Sequence, residues 1–323
     1  MKRNAAILLA MITLFLVAAC SVVDDGTGTT TRPQLPMYTD VPPAEIVMQD
    51  VPVVSTDSGP PAPRYTYVVA IADPHIVNQD DEHDRNLRAI GQTIAGMPFE
   101  IQGAFVAGDI VFNLPYDTIE EYRADPVDRF DIAQEIFEGF TVPVYPALGN
   151  HDLAIGRLPR EMTEQLFREH FGTEPYYTVD LGIWKFIILS NFHGPTQNPD
   201  DPAFDVQTGS LGAEQLAWLD EQLADGRPAV LMLHFPMLIV SDLPDFLARY
   251  RNTVRLVLSG HSHAWLNLSN HFAVPSMVVG SSQFDGDSFL VLELDNVLRT
   301  WRILDWDRFH WGTGFALPWQ DPG

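Results

Sequence analysis

Residues 142–152 read Val-Pro-Val-Tyr-Pro-Ala-Leu-Gly-Asn-His-Asp. The first seven, Val142–Leu148, form a short apolar run closed by turn formers, the pattern of a buried strand. The last four change character. Gly149 and Asn150 accept a left-handed backbone, His151 offers an imidazole, and Asp152 offers a carboxyl group. Taken alone, the segment is a strand followed by a tight turn. A strand of this kind, however, delivers its polar residues to the carboxyl edge of a sheet, where open α/β sheets bind ligands. The same arrangement recurs on both sides of this stretch.

Upstream, Tyr65–Asp73 reads as a buried strand ending in Asp73-Pro74-His75, and Ala104–Val111 is a second strand containing Gly108-Asp109. Downstream, Ala229–His234 ends in His234-Phe235-Pro236, and Arg255–Ser259 is followed by Gly260-His261-Ser262-His263. Ile183–Leu189 adds another strand. Between them lie helical patterns over Asp84–Met97, Val127–Phe140, Thr163–Phe171, Ala213–Leu223 and near Leu243–Tyr250. Phe130, Ala133, Ile136 and Phe137 show the three-and-four spacing of an apolar helix face, as do Leu216, Leu219 and Leu223. Asp84 reads as a cap for the first of these helices. From Phe272 to Trp306 several antiparallel strands are expected. Strands alternating with helices, followed by a strand-rich tail, predict one α/β domain with mixed sheets over residues 65–323.

Each polar strand end has an ordinary structural reading. Asp73 caps or turns, Gly108-Asp109 is a common turn, and His234 sits at the edge of a core. His261 and His263 put two rings on one face of an extended segment. The set is more specific than its members. Five strand ends present Asp, His and Asn without Cys, and they hold five of the ten histidines. Imidazole and carboxylate without thiolate suit Mn, Fe or Zn. The ligands are too many for one tetrahedral ion, and two ions sharing a carboxylate would use them all. Two metals about 3.5–4 Å apart are a device for hydrolysing phosphate esters.

The order D-x-H, GD, GNHD, H, GHxH from Asp73 to His263 resembles the calcineurin-like metallophosphoesterase superfamily, as does the helix Leu211–Leu219. The resemblance implies a four-layer α/β/β/α sandwich. It also implies that Asp73, His75 and His263 hold one metal, that Asn150, His234 and His261 hold the other, and that Asp109 bridges both. His151 is then the catalytic residue, donating a proton to the leaving-group oxygen or stabilising the transition state. The resemblance further implies attack on phosphorus by a hydroxide that the metals would supply, and a small phosphate ester as substrate. Purple acid phosphatases carry a tyrosine where this chain has Phe112, and protein Ser/Thr phosphatases carry Asp-Arg where it has Phe112-Asn113. The pattern is more similar to the bacterial branch that includes class III cyclic-nucleotide phosphodiesterases. A surface protein using the same fold only for binding is the alternative, but domains of that kind usually lose ligands, and all seven are present. Weaker candidates for substrate contact are Arg157, Arg160, His193 and the run Asp80–Asp84, whereas His170, His271 and His310 read as structural.

The chain has 323 residues, 46% of them hydrophobic, which excludes disorder throughout, and its one cysteine excludes a disulfide scaffold. Nineteen Lys and Arg against 43 Asp and Glu give a net charge of −24. Such a surface repels a nucleic-acid backbone and gives no basic patch for anionic lipid. Two bound dications would still make a local sink for an anion. At the N-terminus, Lys2 and Arg3 precede an apolar stretch that ends in Val17-Ala18-Ala19-Cys20. That is similar to the lipobox of bacterial lipoproteins, and an uncleaved anchor is the alternative. Residues 1–19 are then a signal peptide and Cys20 a lipidated residue. Residues 20–64, with eight prolines, form a disordered linker spanning about 35–40 Å. The expected location is the bacterial cell envelope, outside the cytoplasm.

Overall fold

The computed structural model describes residues 63–114, 116–153 and 158–312. The expected signal peptide, Cys20 and nearly all of the linker lie outside these residues. Among the described residues no helix is long and apolar enough to cross a membrane.

Two sheets stack face to face. The first has the strand order β11-β10-β1-β2-β3, with β1 at Tyr65–Ile71, β2 at Ile101–Val106, β3 at Val144–Pro146, β10 at Phe289–Asp295 and β11 at Thr300–Leu304. Here β1, β2 and β3 are parallel and β10 runs antiparallel to both β1 and β11. The second has the order β4-β5-β6-β7-β9-β8, from Tyr177–Leu181, Trp184–Ile188, Ala229–Met232, Val254–Ser259, Leu266–Asn267 and Ser276–Val278 as β4 to β9. Strands β5, β6, β7 and β9 are parallel, flanked by the antiparallel β4 and β8.

The period of two along each strand builds the layers. Val68, Ala70 and Ala72 face inward and pack with Trp184, Phe186, Ile188, Met232 and Leu258 of the other sheet. Their neighbours Val69 and Ile71 face outward into the helical layer with Leu87, Ile90 and Ile94. Strands buried on both faces read as continuous apolar runs, hence the strong signal of β1, β6 and β7. The outer layers are α1 (Glu82–Ala95), α2 (Ile119–Ala124), α3 (Arg129–Glu138), α4 (Arg160–Phe171), α5 (Gly212–Leu223) and α6 (Leu243–Leu247). This is the expected α/β/β/α sandwich.

Several boundaries differ from the sequence reading. Strand β2 stops at Val106, so Gly108-Asp109 lies beyond its end rather than within it. Strand β3 keeps only Val144–Pro146 of the expected Val142–Leu148, an edge position suited to its prolines. Helix α1 starts at Glu82 and is capped by Asp81, not Asp84. Asp81 Oδ1 accepts from Asp84 N at 3.0 Å, while Asp84 itself is buried and pairs with Arg88 at 2.7 Å. In the C-terminal region β9 runs parallel to β7, so that region is not wholly antiparallel. Strand β4 and helix α2 carry too few buried residues to announce themselves; Tyr122 is the one buried residue of α2.

Candidate metal centre

The carboxyl ends of the parallel strands in both sheets meet at one edge. The loop after β1 brings Asp73 and His75, that after β2 brings Asp109, and that after β3 brings Asn150 and His151. From the second sheet, the β6 loop brings His234 and the β7 loop His261 and His263. Among these, Asp73, His75, Asp109, His261 and His263 have φ of 49°, 48°, 50°, 69° and 50°. Each left-handed non-glycine residue costs about 1–2 kcal/mol, and such residues cluster where surrounding structure over-determines them.

The over-determination is visible. The amides of Asp73 and His75 donate to Gly108 O and Asp109 O at 3.2 and 2.9 Å. The carboxylate of Asp73 accepts from the amide of His261 at 2.9 and 3.0 Å, tying one sheet to the other. Buried Asp152 bridges two loops of the first sheet, accepting from Val111 N at 2.9 Å and Gly149 N at 2.7 Å. Asn191 Oδ1 accepts from the amides of His234 and Phe235 at 3.0 and 2.8 Å. Sequence reasoning assigned no role to Asn191; an Asn two residues after a predicted strand was its only signal.

The side chains form two groups that share a carboxylate. Asp73, His75, Asp109 and His263 make one, and Asp109, His234 and His261 the other. Asn150 joins the second group, its Oδ1 lying 2.9 Å from both His234 Nε2 and His261 Nδ1. His234 Nδ1 donates to Ala107 O at 2.9 Å, which leaves Nε2 as the nitrogen that a metal would take. That nitrogen faces Asn150 Oδ1 at 2.9 Å and Asp109 Oδ2 at 3.2 Å. In the first group His75 Nε2 and His263 Nε2 face each other at 2.9 Å. Gln283 Nε2 lies 3.1 Å from His263 Nδ1 and so helps to orient the ring. Asp109 Oδ2 is buried and has no hydrogen-bond donor. Imidazole, amide and carboxylate ligand atoms converging around an orphaned buried carboxylate oxygen fit bound cations.

Electrostatics agree. Burial, reinforced by neighbouring imidazoles, holds His75 and His261 well below the usual histidine range, and burial takes His263 down to about 4. Those imidazoles are neutral at neutral pH, the form a metal needs. Burial also opposes charge on His234, but Asp109 and Asp73 outweigh it and raise it to about 9. Burial and the nearby Asp109 push Asp73 well above the usual carboxylate range, while Asp109, against its own burial, is held below it by the surrounding imidazoles, so the site favours added positive charge, as a proton or a metal cation.

His151 stands beside both groups without joining either. Its amide donates to Asp109 Oδ1 at 2.8 Å and its Nδ1 lies 2.9 Å from Asn113 Oδ1. The ring stacks on Phe112, with centroids 5.1 Å apart, and sits 4.8 Å from the ring of His75. Arg129 in turn donates to the carbonyls of Phe112 and Asn113, steadying that loop.

The weaker sequence candidates divide. His83 Nδ1 lies 2.6 Å from His75 O, so the acidic run abuts the centre through its histidine. Arg160 turns away to Phe192 O and Glu164. His193 lies 3.1 Å from Glu164, and His170 lies between Asp128 and Asp131. Arg157 is outside the described residues.

The sequence matches the calcineurin-like phosphoesterase family over residues 66–265. No curated protein matches significantly. The fold is similar to that of a dimetal phosphatase from Danio rerio, at 15% identity and a TM-score of 0.53, covering 72% of this chain and 93% of that one. A purple acid phosphatase from yellow lupin (Lupinus luteus) matches at 15% identity and a TM-score of 0.47, covering 71% of this chain and 49% of that one. The anchor protein GAP50 of the Plasmodium inner membrane complex matches at 13% and 0.46, covering 72% and 82%. At these identities the likeness concerns fold alone. The family match takes in every residue of the two metal-fitting groups, and with it the chain belongs to the calcineurin-like phosphoesterases, phosphoric ester hydrolases that depend on a dinuclear metal centre.

Proposed function

We propose that Asp73, His75 and His263 hold one metal, that Asn150, His234 and His261 hold a second, and that Asp109 bridges them. The observation that carries this reading is Asp109 itself, common to both groups and with a buried oxygen that no donor satisfies. When bound, two divalent cations supply Lewis acidity and make hydroxide available near neutral pH. Mn, Fe and Zn all suit imidazole and carboxylate donors. The chain's own part is to orient and to move a proton. Asn113 Oδ1 accepts the Nδ1 proton of His151, which leaves Nε2 facing substrate, and Phe112 stacks on the ring to hold its plane. Carrying a second proton on Nε2, the His151 imidazolium serves the leaving-group oxygen as proton donor or transition-state partner and is left as the neutral ring. The substrate is a small phosphate mono- or diester outside the cytoplasm, reached by a domain tethered through lipidated Cys20.

The test is Asp109→Asn. The full chain is loaded with Mn²⁺, and release of nitrophenol is followed from bis-p-nitrophenyl phosphate and p-nitrophenyl phosphate, with and without chelator. The wild type turns over one or both, and chelator stops it. Asp109→Asn is expected to lose at least 100-fold in turnover, on the order of a lost electrostatic contributor, and to bind fewer metal ions. Full activity in the variant would sink the assignment.

A further inference from the structure

Phe284 stands apart among the aromatic side chains around the centre. It is 55% exposed, while its neighbour Gln283 is buried. Its ring lies 5.9 Å from that of His263, edge to face at 72°. The segment that carries it is pinned to the centre. Ser282 donates from its amide and its hydroxyl to Ala72 O at 2.9 and 3.0 Å. Ser281 Oγ donates to Asp73 O at 2.8 Å, Asn86 Nδ2 donates to Gln283 O at 2.7 Å, and the Gln283 side chain meets His263. Just beyond, Gly286 packs so closely on α1 that a Cβ there would lie 2.9 Å from Ala89 Cβ. An apolar ring held out to solvent by a fixed segment is preorganised for a flat partner.

The ring also continues a row. Phe112, His75, His263 and Phe284 follow one another with centroid separations of 5.5, 4.9 and 5.9 Å. The first metal group thus has an aromatic ring on either side, and the two differ in use. Phe112 is half-buried and stacks on His151, whereas Phe284 is the exposed one. In a chain of net charge −24, recognition of the organic part of an anionic ester by an uncharged aromatic face avoids electrostatic repulsion.

Resting on the proposed phosphoesterase reading, we propose that Phe284 forms a stacking subsite for the flat aromatic group of the substrate. The substrate class is then phosphate esters that carry a nucleobase or another planar ring.

The test uses the full chain loaded with metal and compares 5′-AMP with ribose 5-phosphate, which share the phosphoester and differ by the base. Each is measured as a competitive inhibitor of nitrophenyl ester turnover, which reads affinity whether or not it is itself hydrolysed. In the wild type 5′-AMP should bind about 5- to 20-fold more tightly, the scale of one base stacked on an aromatic side chain. Phe284→Ala should collapse that ratio toward one, and Phe284→Trp should restore it. A wild-type ratio near one, a ratio unchanged in Phe284→Ala, or one not restored by Trp would overturn the subsite. Absence of chelator-sensitive turnover in protein shown to hold two metals would instead overturn the phosphoesterase reading, and the subsite with it.

Discussion

Gly108 separates two effects that usually travel together. Its φ is +82°, and a Cβ built there would lie 2.7 Å from His234 Nδ1, 2.9 Å from His234 Cβ and 2.9 Å from Gly149 N. Gly172, which ends α4, has φ +65° with nothing within 4 Å. Alanine at either position carries the left-handed penalty of about 1–2 kcal/mol. At Gly108 it must also displace either the backbone after β3 or His234, and overpacking of that kind costs about 1–3 kcal/mol more. Gly172→Ala should therefore lower Tm by roughly 2–6 °C, and Gly108→Ala by roughly 5–15 °C. The decisive difference lies in the centre. His234 Nδ1 is held by Ala107 O at 2.9 Å, and pushing the ring breaks that bond and turns Nε2 away from Asn150 and Asp109. Gly108→Ala is thus expected to retain about one metal ion per chain where the wild type and Gly172→Ala retain two. Thermal denaturation and elemental analysis of the purified proteins measure both quantities. If Gly108→Ala matched Gly172→Ala in Tm and in metal content, the claim that this close approach positions His234 would be wrong.

Two further expectations concern parts of the chain away from the centre. Burial works against charge on His170, but hydrogen bonding to Asp128 and Leu166 and the charge of Asp131 outweigh it and raise its pKa above the unfolded 6.5. Its contribution is therefore complete below pH 6.5 and fades as pH rises through the folded value. His170→Gln should lower Tm by about 3–5 °C near pH 6 and by clearly less at pH 9, on a charge-assisted contact of about 1–2 kcal/mol; an equal loss at both values would contradict the pairing. At the N-terminus, Cys20→Ser should move the protein from the detergent to the aqueous phase on detergent partitioning, since acyl chains contribute about 0.8 kcal/mol per buried CH₂. A wild-type mass without acyl chains would refute lipidation.

The parts of the fold visible in the sequence were those buried on two faces or along one full helix face. Val68–Ala72 and Ala229–Met232 are continuous apolar runs because sheet and helix cover opposite sides. Strand β4 (Tyr-Thr-Val-Asp-Leu) covers only one side of an edge and is half-exposed, so it carries no comparable pattern. The parallel pairing of β9 could not be read from Ser276–Val278, because three buried residues do not encode direction. Side-chain types at strand ends were legible because few structural roles require so many histidines and acids there. Their supports were not. Asn191 acts through two hydrogen bonds, and Asn113 and Gln283 through one each, to neighbours distant in sequence, and a single polar residue in a loop has many ordinary uses.

Backbone strain and potential ligand atoms occur at the same residues, and this coincidence explains why the centre needs two sheets. A strand that simply ran on would send Asp73 and His75, or His261 and His263, to one face at a spacing set by the pleat. A left-handed residue at each strand end turns the chain instead, so that His75 and His263 meet nitrogen to nitrogen although 188 residues separate them. That meeting is a hydrogen bond in which one ring nitrogen carries the proton that a cation would displace. It is held in place from behind by donors that each ligand loop receives from another: the amide of His261 on Asp73, the amide of His151 on Asp109, Gln283 on His263. The sandwich thus fixes the acceptors before any cation arrives. A cation then gains its ligands without paying to order them. The same rigidity explains why the chain can keep an acidic surface and still present a positively charged site to an anionic ester. Charges on the surface are screened beyond about 8 Å, whereas cations held by the buried Asp, Asn and His side chains would meet the phosphoryl group at contact.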